Sequence, residues 1–385
     1  MAGPAGGIRL IVQVGPFPGP LGGVAVYLKR LKECLDAAGL ANQVWDIGAG
    51  SSSQAGPEVI PTDLRWVPWR LLLHGEVRLV HYHLHTRRSQ LYIGRCNAAL
   101  LRGRRKLLTI HGPASRLCGA AAVPDRALLR ALNSFDAVIC VRAGDRAYLQ
   151  DRGVTAAIRE IPAFIAPRRT GPEPPLPAGV GPFLARHGFI ITANGSALRF
   201  HDQADLYGLD LCIELTARLR AAYPERRVGF IFGLAEVRDG AYLRRMEERI
   251  ALERIEADFL LLHGAGEFYP VIQSGHLFIR PSNTDGYSVS LAEAIFLKVP
   301  AIASDAAERP PGTLLFHSRD GADLFHQVER VLRDYPFYRT QAQTLRSPDY
   351  AGEILQLYED VLPKPGPEPG RRQRPDPAGP AGRDA

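Results

Sequence analysis

Two tandem α/β domains, each a doubly wound parallel sheet and both opening on a shared cleft, are the architecture this sequence predicts. Three observations carry that expectation. The chain is 385 residues long, more than one hydrophobic core usually fills. Short apolar or β-branched runs alternate with stretches of helical periodicity, and parallel strands need such crossover helices between them. That alternation stops at a Pro/Gly-rich segment and then starts again.

The elements follow in order. IRLIVQV (8–14) reads as a buried strand, and VAVYLKRLKECLDAAG (24–39) as a helix stopped by Gly39. ANQVWDIG (41–48) is the next strand, and LRWVPWRLLLHG (64–75) a helix of interfacial character. VRLVHYHLH (77–85) is a strand ending in histidines. A basic helix (88–102), the strand KLLTIHG (106–112), a helix near 124–133 and the strand DAVICV (136–141) complete the first set. Residues 166–182, APRRTGPEPPLPAGVGP, carry no periodicity and read as a linker. Strands at 189–195, 228–235, 258–264, 276–282 and 300–304 then alternate with helices at 209–224, 242–255 and 288–298. Helical stretches at 321–334 and 348–362 follow. The expected domains are therefore 1–165 and 183–345, both Rossmann-like. A terminal helix within 346–362 is expected to pack back on the first domain, and 363–385 is a tail of disordered composition.

Composition bounds the function. The hydrophobic fraction of 46% and charged fraction of 23% are those of a globular protein. A net charge of +7 favours anionic partners, although a composition rich in Ala, Arg, Gly and Pro is a second origin for it. The five cysteines, Cys34, Cys96, Cys118, Cys140 and Cys212, are odd in number and lack metal-ligand spacing. Reduced thiols in a cytoplasmic protein are expected. The first apolar run is too short for a signal peptide, and no run reaches the roughly 20 residues of a membrane span.

In doubly wound sheets ligands bind at the carboxyl ends of the strands, and three features fall there. The loop GPFPGPLGG (15–23) follows the first strand, and Gly22-Gly23 leaves backbone N–H groups free to approach a phosphate at a helix N-terminus. It has neither the G-x-G-x-x-G spacing nor the Lys-Ser/Thr of a P-loop, and a tight turn would use the same glycines. His81, His83 and His85 share one strand face, and His111 ends the following strand. Without carboxylates at ligand spacing, a cleft histidine or a hydrogen-bonded structural imidazole fits better than a metal site. The third feature is PSNTDGYSVSLAEA (281–294). Asp285 opens a turn and Glu293 lies in an apolar helix, where an acid suits a sugar diol. A helix cap and a surface carboxylate would be the plain alternative.

The order of these features resembles the retaining glycosyltransferases of family 4, of the GT-B fold. The matching stretches are VGPFPGPLGGVAVYLKRLKECL (14–35), the histidine strand with TIHG (109–112), and RPSNTDGYSVSLAEAIFLKVPAIASD (280–305), similar to the family's E-x7-E segment. The resemblance implies that Gly22 and Gly23 face a donor diphosphate and that His111 lies near the reacting sugar. It places Asp285 on the sugar hydroxyls, where the family usually has Glu, and Glu293 on the nucleotide ribose. Gly286, Tyr287 and Ser288 would offer backbone amides, and Glu267 would border the pocket. Arg199 stands in for the family's phosphate-binding Arg. Tyr207 occupies the position expected for its Lys.

The implied activity is metal-independent, retaining hexosyl transfer from a UDP- or GDP-linked sugar to an acceptor hydroxyl. No cofactor is needed beyond the nucleotide sugar as co-substrate. The acceptor would bind the first domain, in polysaccharide, glycolipid or secondary-metabolite biosynthesis. A nucleotide-sugar epimerase of the same fold and an impaired nucleotide-sugar-binding protein are the alternatives. A dehydrogenase lacks its glycine fingerprint. Arg87, Arg88, Arg95, Arg102, Arg104, Arg105 and Lys106 form a basic run. With Trp66 and Trp69 nearby, it suggests a seat on the inner face of an anionic membrane, a solvated basic face being the alternative. No aromatics interleave with that run, so nucleic acid is not an expected partner.

Overall fold

The computed structural model describes residues 10–17, 22–48, 57–101, 103–118, 125–168, 174–264 and 266–362. The tail (363–385), the middle of the linker (169–173) and the apex of the glycine loop (18–21) lie outside them.

The first domain runs β1 (Leu10–Gly15), α1 (Gly23–Ala37), β2 (Asn42–Asp46), β3 (Val59–Pro61), α2 (Val67–Leu73), β4 (Val77–His83) and α3 (Arg87–Leu100). It continues with β5 (Arg105–Ile110), α4 (Ser115–Cys118), α5 (Arg126–Leu132), β6 (Ala137–Cys140), α6 (Asp145–Gln150) and β7 (Ala157–Glu160). Its strands lie in the order β3-β2-β1-β4-β5-β6-β7, all neighbours parallel. Both faces are covered. Val12 and Val14 of β1 face one apolar cluster, while Ile11 faces another. That is why the strand reads as a continuous apolar run rather than an alternation.

The second domain opens with α7 (Val180–Arg186) and β8 (Phe189–Ala197), then a hairpin of β9 (Phe200–His201) and β10 (Ala204–Asp205). There follow α8 (Leu209–Ala222), β11 (Val228–Glu236), α9 (Gly240–Leu252), β12 (Phe259–His263), α10 (Tyr269–Ser274) and β13 (Leu277–Arg280). The last elements are α11 (Val289–Phe296), β14 (Ala301–Ser304), β15 (Leu314–Phe316), α12 (Gly321–Arg333), α13 (Tyr335–Thr344) and α14 (Tyr350–Val361). The sheet order is β12-β11-β8-β13-β14-β15, again parallel throughout. In each sheet the order reverses beside the domain's first strand, and ligand crevices form at such switch points.

Three differences from the sequence reading have physical causes. The linker is shorter than 166–182, because α7 begins at Val180 and buries Val180 and Phe183 in the second domain's core. The edge strands β3, β7 and β15 were not foreseen, since three or four partly exposed residues carry no usable period. The helical stretch at 321–334 is followed by a separate helix, α13, begun by Pro336 in its first turn.

The chain finishes on the first domain. Ile354, Leu357 and Tyr358 of α14 are buried in one cluster with Ile11, Tyr27, Leu31 and Leu79. Burying side chains of this size stabilises by about 1.5–3 kcal/mol each, so α14 is firmly held to the domain it does not follow in sequence.

Candidate active site

The two sheets present their carboxyl ends to one another, and the segments leaving those ends build a cavity of about 180 Å³. From the first domain come Gly22 and Gly23, at the start of α1. Gly22 caps that helix through its carbonyl, which accepts from Val26 N at 3.0 Å. The first turn of α1 carries no acidic side chain of its own, which leaves the positive end of the helix suited to an anion.

From the second domain comes the segment after β13. Asp285 Oδ2 accepts from Arg280 Nε at 3.0 Å, Ser282 Oγ at 3.1 Å and Arg309 Nη1 at 3.1 Å. Burial alone would raise this acid, but Arg280 and then Arg309 outweigh it and hold the carboxyl below the usual range. All three bonds fall on one oxygen. Among the described residues Oδ1 accepts none, and Asp285 lines the cavity. Arg280 also donates to the Asn194 carbonyl at 2.9 Å, and its guanidinium lies 4.7 Å from the Tyr207 ring centre. Tyr207 is fixed in turn by a 2.7 Å bond between its hydroxyl and Ser196 Oγ.

The loop behind Tyr207 is ordered by a buried acid. Asp205 accepts from the amides of Tyr207, Gly208 and Leu209 and from the Tyr242 hydroxyl, at 3.0 to 3.3 Å. Gly208 sits at φ +67°, and a Cβ there would meet the Pro281 carbonyl at 2.9 Å. The Asp205–Gly208 turn therefore packs directly on the segment that carries Asp285.

Glu293 lies at the other end of the cavity, on α11, whose N-cap is Ser288. Its Oε1 accepts from Arg30 Nη2, a residue of α1 in the opposite domain. Arg30 also donates to Glu267 Oε2 at 3.1 Å and to the Ile165 carbonyl at 3.1 Å. Lys29 donates to Glu267 Oε1. Two cations from the first domain thus meet two acids from the second. The Arg30 side chain is only 1% exposed and that of Glu293 only 5%. Burial disfavours the charged form of Arg30, but the two carboxylates more than offset this and keep it protonated. Glu293 is raised, by burial first and by neighbouring Glu267, against the pull of Arg30. Glu267 is lowered, because Arg30 and Lys29 outweigh its burial.

The histidines form a neutral layer beneath the first-domain side of the cleft. His81 bonds Tyr358 Oη through Nδ1 at 2.6 Å and Thr109 Oγ1 through Nε2 at 2.7 Å. His83 Nδ1 and His111 Nε2 are 3.1 Å apart. Burial drives His81 and His111 down to about 3, with further lowering from neighbouring histidines, and His83 well below its ordinary value. No group of three His, Cys, Asp or Glu among the described residues is placed to hold a metal ion.

Of the residues singled out from sequence, Gly22, Gly23, Glu267, Asp285, Tyr287 and Glu293 line the cavity together. Gly286 and Ser288 stand behind that lining. His111 does not line it either, but its carbonyl would meet a Cβ on Gly286 at 3.1 Å, so the two domains approach closely there. Arg199 is not brought in. It is exposed in the turn between β8 and the β9–β10 hairpin, because Leu198 takes the buried position beside it. Sequence reasoning missed Arg280 and Arg30. An arginine closing the buried run LFIR was a readable signal for the first. Nothing in the helical pattern of α1 marked Arg30, whose two acidic partners are more than 230 residues away.

Comparison with known proteins agrees with this architecture. Residues 21–169 match the Glycosyltransferase Family 4 model. Sucrose-phosphate synthase from Thermosynechococcus elongatus superposes with a TM-score of 0.62 at 18% identity, covering 92% of this chain and 99% of that one. The HepE protein of Anabaena, solved with UDP and glucose, gives 0.62 at 14%, covering 92% and 100%. A glycosyltransferase from Rickettsia africae gives 0.63 at 12%, covering 92% and 98%. No curated protein sequence matches the chain. At these identities the structures speak to fold. Together they show a chain of GT-B fold in which residues 21–169 match the model of glycosyltransferase family 4.

Proposed function

We propose that this chain transfers a hexosyl group, with retention, from a UDP- or GDP-linked sugar to an acceptor hydroxyl. The observation that carries the reading is the pairing of two acids in one cavity with an open helix N-terminus. Asp285 and Glu293 each keep one carboxylate oxygen without a partner among the described residues, and both line the cavity that Gly22 and Gly23 border. A nucleotide sugar carries hydroxyls at both ends and a diphosphate between them. Asp285 takes the sugar hydroxyls, Glu293 the ribose, and the α1 amides the diphosphate.

Charge supports the assignment. Arg280 and Arg309 neutralise Asp285, so the acid does not repel the diphosphate. Arg280 takes over the role expected of Arg199. The acceptor oxygen attacks the anomeric carbon from the face the diphosphate leaves. The carbon–oxygen bond to phosphate breaks as the new glycosidic bond forms, and the acceptor proton passes to a leaving phosphate oxygen. The α1 dipole and Arg280 stabilise the charge that develops there, so the reading needs no metal. His111, whose carbonyl approaches Gly286, stands behind the sugar end of the cavity, and the acceptor binds the first domain. The HepE structure with UDP and glucose favours a uridine donor among the candidates. The product would belong to a polysaccharide, a glycolipid or a secondary metabolite.

The test is titration with UDP- and GDP-sugars in the presence of a chelator, followed by NMR of the product's anomeric configuration. Binding and a retained product support the reading. Binding without turnover on a broad acceptor panel would point instead to a nucleotide-sugar-binding protein. No binding of either nucleotide would overturn both.

A further inference from the structure

The first domain carries a second surface with no role in the cavity. Helix α2 buries Val67 and Leu71 in the core, yet its outer side is also apolar. Trp66 is 63% exposed, Trp69 53%, Leu72 45% and Leu73 86%. Exposed apolar side chains are ordinary when scattered, but four within eight residues mark an interaction site. Tryptophan has an apolar body and a polar N–H, which suits a boundary between water and something apolar.

The charge beside this ridge is what selects the partner. The Tyr92 hydroxyl donates to the Arg65 carbonyl at 2.8 Å and ties α3 to the start of α2. Arg88 and Arg95 share the α3 face with Tyr92, at i, i+4 and i+7. Both are exposed, and neither has an ion-pair partner among the described residues. The rest of the basic run is dispersed. Arg87 pairs with Asp125 at 2.7 Å, Arg105 with Asp136 at 2.8 Å, and Lys106 turns back to the Leu101 carbonyl. Arg102 lies outside the described residues, and Arg104 is half-buried, with its Nη1 shielded from solvent. What remains is an apolar ridge flanked by two free guanidinium groups, on a chain of net charge +7.

We propose that α2 with Arg88 and Arg95 is a docking surface for an anionic lipid bilayer. Leu72, Leu73 and the two indoles enter the boundary between headgroups and acyl chains, while the arginines meet lipid phosphates. The chain lies on the membrane rather than through it, since no described helix is long and apolar enough to cross.

The experiment uses the full chain and vesicles of phosphatidylcholine with or without phosphatidylglycerol, and needs no donor. Co-sedimentation with the anionic vesicles, lost at high salt, is expected. Tryptophan emission shifts to the blue on binding, with Trp45, 0% exposed, as the internal constant. Trp66→Ala with Trp69→Ala, or Leu73→Glu, lowers partitioning at least about tenfold. Arg88→Ala with Arg95→Ala removes the salt-sensitive part. All are surface changes that leave the fold and donor binding intact. Wild-type protein that ignores anionic vesicles would overturn the proposal. So would tryptophan variants that bind as well as wild type, or variants that change only the protein's own oligomeric state.

Discussion

Arg30 and Glu293 join the two domains across the cavity through a pair of side chains that are both almost fully buried. The contact sits on the carboxylate assigned to the ribose, and the cavity of about 180 Å³ beside it is smaller than the usual ligand pocket of about 300–1,000 Å³. The described state is therefore a drawn-together one, and on the proposed reading a nucleotide sugar has to displace this contact to reach Glu293.

Removing one partner of such a pair leaves a buried charge uncompensated. Arg30→Met is expected to destabilise the chain by about 3–5 kcal/mol, read from urea denaturation at neutral pH. Adding Glu293→Gln to it recovers part of the loss. A double variant no more stable than Arg30→Met would show that the pair does not act as one unit.

The reassignment of the cavity's cation gives a direct contrast. Arg280→Ala leaves Asp285 with Arg309 as its one cationic partner and removes a positive charge from the cavity, so nucleotide-sugar affinity is expected to fall by about tenfold or more. Arg199→Ala, on an exposed turn, leaves affinity unchanged. Titration calorimetry on the two variants checks this, and the reverse ranking would restore the sequence-based assignment.

Asp285→Asn keeps the shape but removes the charge that Arg280 and Arg309 share. Turnover is expected to drop by about 10²–10³, with nucleotide affinity much less affected, because the contact lies at the sugar end. Glu293→Gln should do the opposite and weaken nucleotide binding first. Steady-state kinetics together with UDP titration separate the two.

The histidines beneath the cleft, His81 buried and His111 half-buried, set an acid limit on stability. In the folded chain His81 and His111 stay neutral down to about pH 3, while in the unfolded chain they protonate near 6.5. Between those values the unfolded state binds more protons, so stability falls as pH falls, by up to about 1.4 kcal/mol per pH unit for each such ring. Melting temperature followed from pH 7 to pH 5 should decline accordingly. His81→Gln should flatten the slope even where it lowers the midpoint.

The sequence disclosed what depends on local period and on strand ends. The two sheets, most of their helices, the Gly22-Gly23 turn and the Asp285–Glu293 spacing were legible because each is written within about ten to fifteen residues. The edge strand β3, at Val59–Pro61, was not, since three residues hold no period. Arg30 was missed for a different reason. In α1 it reads as one charge among Lys29, Lys32 and Glu33, and only the facing domain, bringing Glu267 and Glu293, buries it. Arg199 falls outside the cavity because neighbouring positions on a strand end differ in direction, and which one points inward is decided by packing around Leu198.

The bond between His81 and Tyr358 has a consequence for biosynthesis. Its partners are 277 residues apart, and α14 also supplies the apolar lid over Ile11, Leu31 and Leu79. A ribosome adding about 5–20 residues per second needs on the order of tens of seconds to reach Tyr358 once the sheet has emerged. Through that interval the nascent first domain waits with an apolar face uncovered, a natural holding site for a chaperone. Its folding is completed not when its own last strand appears but when the chain's closing helix returns to it.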